Sequence, residues 1–218
     1  MTAVSAAAAA LQAERLAARR GYAMLFTDVD LAVRAGRALV VSGPNGSGKT
    51  TLLRMLAGLT APAEGEIRWR GGVVRPFDTR LRGALAFNGH LAALKDELTP
   101  EENLAAWISL DDRPADDTAV AAALDAVALG RQRRLPVRVL SQGQRRRIGL
   151  ARLRLVQRPL WILDEPLTAL DAAGVDALGA LLASHLDGGG LCIAASHQPL
   201  PVSAERLHAL TLGAAPRT

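Results

Sequence analysis

Cysteine, aromatic residues, lysine and long apolar runs are all scarce in this 218-residue chain. A single cysteine, Cys192, excludes an internal disulfide and suits a reducing compartment. Aromatics are 3% of a chain that is 50% apolar, so the core must be filled by Ala, Leu, Val and Ile. Lysine occurs only at Lys49 and Lys95, and the net charge of +5 is almost wholly arginine. That charge alone is weak support for nucleic acid or an anionic membrane, because a general bias toward Ala and Arg explains it as well. No apolar run approaches the roughly 20 residues that span a bilayer, so a membrane role has to come through a partner. The Ala tract at 6–10 is short, and residues 1–10 read as a flexible extension, not a signal peptide. Residues 11–218 are then one domain, enough chain for one good core.

Strand patterns occupy 11–18, 23–33, 37–42, 84–88, 160–163 and 191–195, with a hairpin at 63–72. Helices are predicted over 50–57, stopped by Gly58, over 118–129, closed by Gly130, and over 176–186. The pattern turns helical from His90, and Thr99, Pro100 and Glu102 give a capping box and first-turn proline to a helix running to Leu110. Ser141 and Gln144 repeat the capping-box spacing, so a helix starts at Ser141 and runs to about Arg158. Alternating strands and helices predict an α/β fold with a parallel-sheet core. An antiparallel β subdomain and a short helical subdomain, inserted over about 91–158, complete the plan.

Gly43, Pro44, Asn45, Gly46, Ser47, Gly48, Lys49 and Thr50 fit G-x-x-x-x-G-K-[ST], after a strand and before a helix. Backbone N–H groups surround a phosphate only where glycine lets them approach, and the helix N-terminus adds partial positive charge. Lys49 supplies a compact cation for the β- and γ-phosphates, Thr50 a hydroxyl for Mg²⁺, and Thr51 reaches the α-phosphate. Asp164 and Glu165 then close a buried strand. Adjacent carboxylates beside phosphates repel unless a cation sits with them. Asp164 is the expected Mg²⁺ ligand, and Glu165 the group that orients and deprotonates water.

With residues 43–51, the LSQGQ run at 140–144 and Leu163-Asp164-Glu165-Pro166 in this order, the chain resembles the nucleotide-binding subunits of ABC transporters. Thr168-Ala169-Leu170-Asp171 is similar to the family's D-loop, and Ser196-His197 to its H-switch. The resemblance implies a P-loop ATPase with a RecA-like core, using ATP and Mg²⁺. It implies a head-to-tail homodimer, each ATP lying between one subunit's residues 43–51 and the other's Ser141, Gly143 and Gln144. It also implies that His197 contacts the γ-phosphate and that Asp171 links the two sites. Two positions depart from the family pattern. His90 stands where a glutamine is usual, as a sensor of the metal-bound γ-phosphate through an imidazole that titrates near neutrality. The adenine-stacking aromatic is missing: Arg20 falls near its position and Tyr22 two residues later. Either Tyr22 stacks on the base, or Arg20 does through its guanidinium plane, leaving Tyr22 a packed strand aromatic. His185 and His208 match no motif and read as surface or packing residues.

The run from Asn88 to Leu104, with 135–141 and 160–171, is similar to the ATPase of the haem exporter in cytochrome c maturation, where Gly-His is also found at the glutamine position. This implies a peripheral ATPase on the cytoplasmic face of the inner membrane, bound to integral membrane channel subunits and powering release of a haem-loaded chaperone. Export of a lipid or drug is the alternative; a soluble ATPase acting on nucleic acid or ribosomes would need a second core or a coiled coil, and no specific nucleic-acid partner is expected. No Cys or His pair has haem-ligand spacing, so the isolated chain is not expected to bind haem. The surface facing the membrane partner falls between Leu91 and Leu129, with Trp107, Asp111, Asp112, Asp116 and Asp117 as candidates.

Overall fold

The computed structural model describes residues 10–89, 93–110, 114 and 116–213. Its strands are β1 (Leu11–Arg20), β2 (Ala23–Val33), β3 (Ala38–Ser42), β4 (Glu64–Trp69), β5 (Gly72–Val73), β6 (Leu85–Asn88), β7 (Leu160–Asp164), β8 (Leu191–Ala195) and β9 (Leu207–Thr211). Its helices are α1 (Lys49–Leu56), α2 (Thr79–Ala84), α3 (Pro100–Ser109), α4 (Asp117–Ala126), α5 (Gln142–Val156) and α6 (Ala172–Asp187).

A parallel sheet in the order β6-β7-β8-β3-β9 stands at the centre. Its middle strands are buried on both faces, and the two-residue period of a strand sends alternate side chains to opposite cores. Leu160, Ile162, Leu191, Ile193, Leu39 and Val41 face a core shared with α1 and an antiparallel sheet ordered β2-β1-β4-β5. Trp161, Leu163, Cys192 and Ala194 face the opposite core, where α3, α4, α5 and α6 pack. Each fully buried Leu or Ile there contributes about 1.5–3 kcal/mol, the main force setting strand register. Trp107 packs half-buried against this second core, under the Arg152 guanidinium 5.0 Å from its ring centre.

Both capping boxes form: the Glu102 and Gln144 amides donate to Thr99 and Ser141 Oγ, each at 3.2 Å, and the two side chains answer the cap N–H groups. The helix after Lys49 ends where glycine was expected to stop it. Gly58 takes φ +67°, and Leu59 N–H closes back on the Arg54 carbonyl at 2.9 Å.

Several boundaries differ from the sequence expectation. Residues 93–99 are loop and turn, not helix. This loop is held by Asn103, which accepts from Lys95 N–H at 2.9 Å and donates to the Lys95 carbonyl at 3.1 Å. α4 begins under Asp116, whose carboxylate accepts from Thr118 N–H at 2.9 Å, and Ala128 at φ +55°, not Gly130, turns the chain behind it. α5 stops at Val156, before Gln157 at φ +44°. α6 begins at Ala172, not 176, because Asp171 caps it. α2 and β9 had no counterpart in the sequence reading. α2 is nucleated by Asp78, which accepts from Arg80 and Leu81 N–H; the Arg80 guanidinium and these two amides hold its carboxyl down at about 2. Among the described residues no helix is long and apolar enough to cross a membrane.

Candidate functional site

The carboxyl ends of β3, β6, β7 and β8 meet at one edge of the parallel sheet, the place where open α/β sheets bind ligands. A cavity of about 570 Å³ opens there, lined by Asn45, Gly46, Gly48, Lys49, Thr50, Thr51, Asp164, Glu165 and His197, with Arg19, Arg20 and Leu25 along one wall. A larger hollow of about 780 Å³ lies at the amino ends of the strands, beside the Trp161–His185 stack. None of the motif residues lines that hollow, and the smaller cavity is the one that fits the chemistry.

The loop after β3 curls because glycine permits it. Gly43 has φ +142°, and a Cβ there would sit 2.5 Å from the Leu212 carbonyl oxygen. Ser47 and Lys49 are buried in the loop, with Pro44, Asn45 and Gly46 exposed along it. Lys49 Nζ donates to the carbonyls of Gly43 at 2.8 Å and Pro44 at 3.2 Å, so the cation is held within its own loop. Thr50 Oγ1 donates to Asp164 Oδ2 at 3.0 Å, which ties α1 to the end of β7. Asp164 is buried, 3% exposed.

Glu165 leaves the strand through a left-handed backbone, φ +51°, a conformation costly for a side-chain-bearing residue. Its N–H still donates to the Ala195 carbonyl at 2.9 Å. The turn swings its carboxylate away from Asp164 and to 3.5 Å from His197 Nε2. His197 follows Ser196, whose hydroxyl donates to the Gln198 carbonyl at 2.7 Å and accepts from the Gln198 amide at 3.1 Å. Two adjacent acids thus serve separate directions: Asp164 toward Thr50, Glu165 toward His197.

Ser141, Gly143 and Gln144 do not line this cavity. They form the first turn of α5, with Ser141 exposed. Gly143 packs so closely on the loop after β7 that a Cβ would meet the Ala169 carbonyl oxygen at 2.5 Å. Asp171 caps α6 by accepting from Gly174 N–H at 2.9 Å, and it pairs with the buried Arg147. The Gly174 amide, with the Arg147 guanidinium, lowers its carboxyl below the ordinary range.

Tyr22 is fully exposed, at 108%, in the turn between β1 and β2 and is absent from the cavity lining, so it is not a packed strand aromatic. Arg19 and Arg20 line the cavity instead. His90, Asp111 and Asp112 lie outside the described residues. His208 is exposed on β9. His185 stacks on Trp161 with ring centres 3.8 Å apart, its Nε2 3.1 Å from the Leu191 carbonyl, and burial lowers its pKa. Sequence reasoning missed Arg146 and Arg147. The available signal was three consecutive arginines on a helix between apolar strands, too many to share one solvated face.

The protein-family model described as ABC transporter matches residues 26–168. A "Cytochrome c biogenesis ATP-binding export protein CcmA" of Nitrosomonas europaea is 45% identical over 202 residues, covering 93% of this chain and 95% of that protein. One of the same name from Pseudomonas putida strain KT2440 is 46% identical over 203 residues, covering 93% and 96%. A solved ATP-binding protein of a putative ABC transporter from Pyrococcus furiosus superposes with a TM-score of 0.79 at 24% identity, over 93% of this chain and 96% of that one. A dimeric ATP-binding cassette in a post-hydrolysis state, bound to ADP and Pi, superposes with a TM-score of 0.77 at 22% identity, over 95% and 97%. These two show the fold. The chain belongs to the ABC transporter family and, within it, to the CcmA cytochrome c biogenesis ATP-binding export proteins, as an ABC-type ATPase.

Proposed function

We propose that the chain is the ATP-hydrolysing subunit of a membrane-bound haem exporter used in cytochrome c biogenesis, peripheral on the cytoplasmic face and docked on integral channel subunits. Residues 11–218 act as one ATPase domain. The energy of hydrolysis serves release of a haem-loaded chaperone, and the chain itself does not hold haem. Cys192 supports that last point: it is wholly buried, and burial pushes its thiol up to about 12. The observation that carries the ATPase assignment is the divided acid pair at the end of β7, with Thr50 on Asp164 and His197 beside Glu165.

Residues 43–51 cradle the phosphates with backbone N–H groups, and Lys49 transfers its ammonium from the Gly43 and Pro44 carbonyls to the β/γ oxygens. The Thr50 hydroxyl and Asp164 carboxylate are hard oxygen donors 3.0 Å apart, the donor type Mg²⁺ takes alongside phosphate oxygens. When bound, the ion would neutralise phosphate charge. Glu165 accepts the proton of the attacking water, and His197 orders that water against the γ-phosphate. Ser141, Gly143 and Gln144 serve the partner's nucleotide in a head-to-tail homodimer. Two facts support this: the turn opens to solvent at Ser141 and Gln142, with Gly143 and Gln144 half-buried, and it stands apart from the chain's own cavity. His90 is the γ-phosphate sensor in this reading.

Glu165→Gln tests it. ATP binding should be retained and turnover should fall about 10²–10⁴-fold, the usual worth of a general base. ATP should then trap a dimer. A variant that stays monomeric with ATP by light scattering at high concentration contradicts the sandwich, and one that keeps parental turnover contradicts the role of Glu165.

A further inference from the structure

Arg145, Arg146 and Arg147 follow the exposed first turn of α5 and point to three different places. Arg145 pairs with Asp96 at 2.9 Å, in the loop before α3. Arg147 reaches Asp171 and the Val127 carbonyl. Arg146 lies between them, 7% exposed, and is directed at main-chain oxygens. One of its terminal nitrogens donates to the carbonyls of both Asp164 and Glu165. The other donates to the Gly89 carbonyl at 3.2 Å.

Those carbonyls belong to the points where β7 and β6 leave the sheet, and the Glu165 carbonyl also accepts from Thr168 N–H at 3.2 Å. A planar guanidinium has donors in a fixed fork and can serve carbonyls from two strands at once; an ammonium is a single point. The Glu165 contact matters most. Its φ of +51° sets where its carboxylate lies, and a donor on its carbonyl fixes the following peptide and so resists relaxation to an extended backbone. The same guanidinium grips Gly89, the residue before His90. Burial lowers the Arg146 pKa, and the Asp164 and Glu165 carboxylates offset part of that.

We propose that Arg146 is a positioning residue for hydrolysis: it holds Glu165 in its left-handed conformation and ties that placement, with the root of the His90 segment, to the helix whose first turn is Ser141–Gln144. This rests on the reading of Glu165 as the residue that activates water. Arg146 is not among the residues lining the nucleotide cavity, so its loss should act on turnover and not on ATP affinity.

The test compares R146M, R146K and E165Q with the parent full-length chain. Steady-state ATPase gives kcat and KM, a fluorescent ATP analogue gives Kd, and thermal unfolding reports the fold. R146M should lower kcat about 30- to 100-fold, as a misplacement of about 1 Å does, with Kd within about threefold of the parent. R146K should recover part of kcat, because an ammonium can serve one or two of the three carbonyls. The inference is overturned if folded R146M turns over within about threefold of the parent, if Kd weakens in step with kcat, or if R146K is no better than R146M. If R146M does not fold, R146K alone decides: a lowered kcat at unchanged Kd supports the inference, and parental kcat overturns it. E165Q separates the two readings. Retained turnover in E165Q removes the role of Glu165 and this inference with it, whereas loss of turnover in E165Q beside an indifferent R146M removes the inference alone.

Discussion

Two helical glycines predict opposite responses to the same substitution. Gly83, in α2, is exposed, and a Cβ added there meets nothing within 4 Å. Gly83→Ala should stabilise by about 0.5–1 kcal/mol through helix propensity and a less flexible unfolded chain. Gly143, in the first turn of α5, would place its Cβ 2.5 Å from the Ala169 carbonyl oxygen. That is about 1 Å inside contact distance, so something has to move. The loop cannot yield freely. Leu170 N–H bonds the Leu167 carbonyl and Thr168 N–H the Glu165 carbonyl, each at 3.2 Å, and Asp171 is anchored by Arg147 and the α6 amide. Overpacking of this kind costs about 1–3 kcal/mol, against less than about 1 kcal/mol of helix gain at a first-turn position. The net loss is about 1–2 kcal/mol, or about 3–6 °C in Tm for a chain of this size. Gly83→Ala should instead raise Tm by about 2–3 °C.

The assay is paired thermal unfolding with steady-state ATPase. The displaced elements are the first turn of α5 and the loop after β7, so Gly143→Ala should also lower kcat by about 10- to 100-fold, leaving nucleotide binding at residues 43–51 unchanged. A Gly143→Ala protein with a Tm at or above the parent, like Gly83→Ala, would refute the steric argument. Parental kcat with that Tm would also show that the Gly143–Ala169 contact has no mechanical consequence.

The cavity wall formed by Arg19, Arg20 and Leu25 gives a second contrast. Arg20 lines the cavity and Tyr22 is fully exposed, so Arg20→Ala should weaken ATP binding about 5- to 10-fold in a fluorescent-nucleotide titration, with Tyr22→Ala within about twofold; the reverse order would return the base to Tyr22. Cys192 predicts a pH effect. Its folded pKa is raised to about 12, so unfolded chains lose the proton first and stability falls as pH rises past the unfolded value near 9.0. The loss should be about 1.5 kcal/mol at about pH 10, absent in Cys192→Ala, and checked by denaturant titration across pH. The native thiol should resist a thiol reagent until the chain unfolds; rapid native labelling would contradict its burial.

Elements whose signal is local were legible in the sequence. The capping boxes at Thr99 and Ser141 need only residues three apart, and the apolar runs of β7 and β8 need only their own composition. α2 was not legible because six residues, TRLRGA, carry less than two helical turns of periodicity. β9 was not because, in LHALT, burial is only partial at Leu207 and Leu210, and its place at the sheet edge depends on β3, far away in sequence. The start of α6 was hidden by Gly174, a poor helix residue kept because a Cβ there would press on Leu170 and on Arg147 Nε at 3.0 and 3.1 Å. In the site, phosphate-loop and acidic residues were nameable because their chemistry fixes their spacing. Arg146 was not, because its targets are backbone carbonyls, which carry no residue identity.

The arrangement of α5 links the Ser141–Gln144 turn to the end of β7 within this chain. Successive helical residues diverge by about 100°, so three consecutive arginines necessarily face three directions. Here each direction holds a different neighbour: the loop before α3, the ends of β6 and β7, and the cap of α6. The Arg146 bonds are buried and so little screened, whereas the Asp96 and Asp171 carboxylates are largely exposed and their pairs are weaker links. A ligand that pulls the first turn of α5 would therefore strain the Asp96, Gly89, Glu165 and Asp171 contacts together. A ligand that fills only residues 43–51 would act through Thr50 and Asp164 and leave α5 where it is. On the proposed reading of Ser141, Gly143 and Gln144 as the partner's nucleotide contacts, nucleotide binding and commitment to hydrolysis are separable events, and the second requires something to press on that turn.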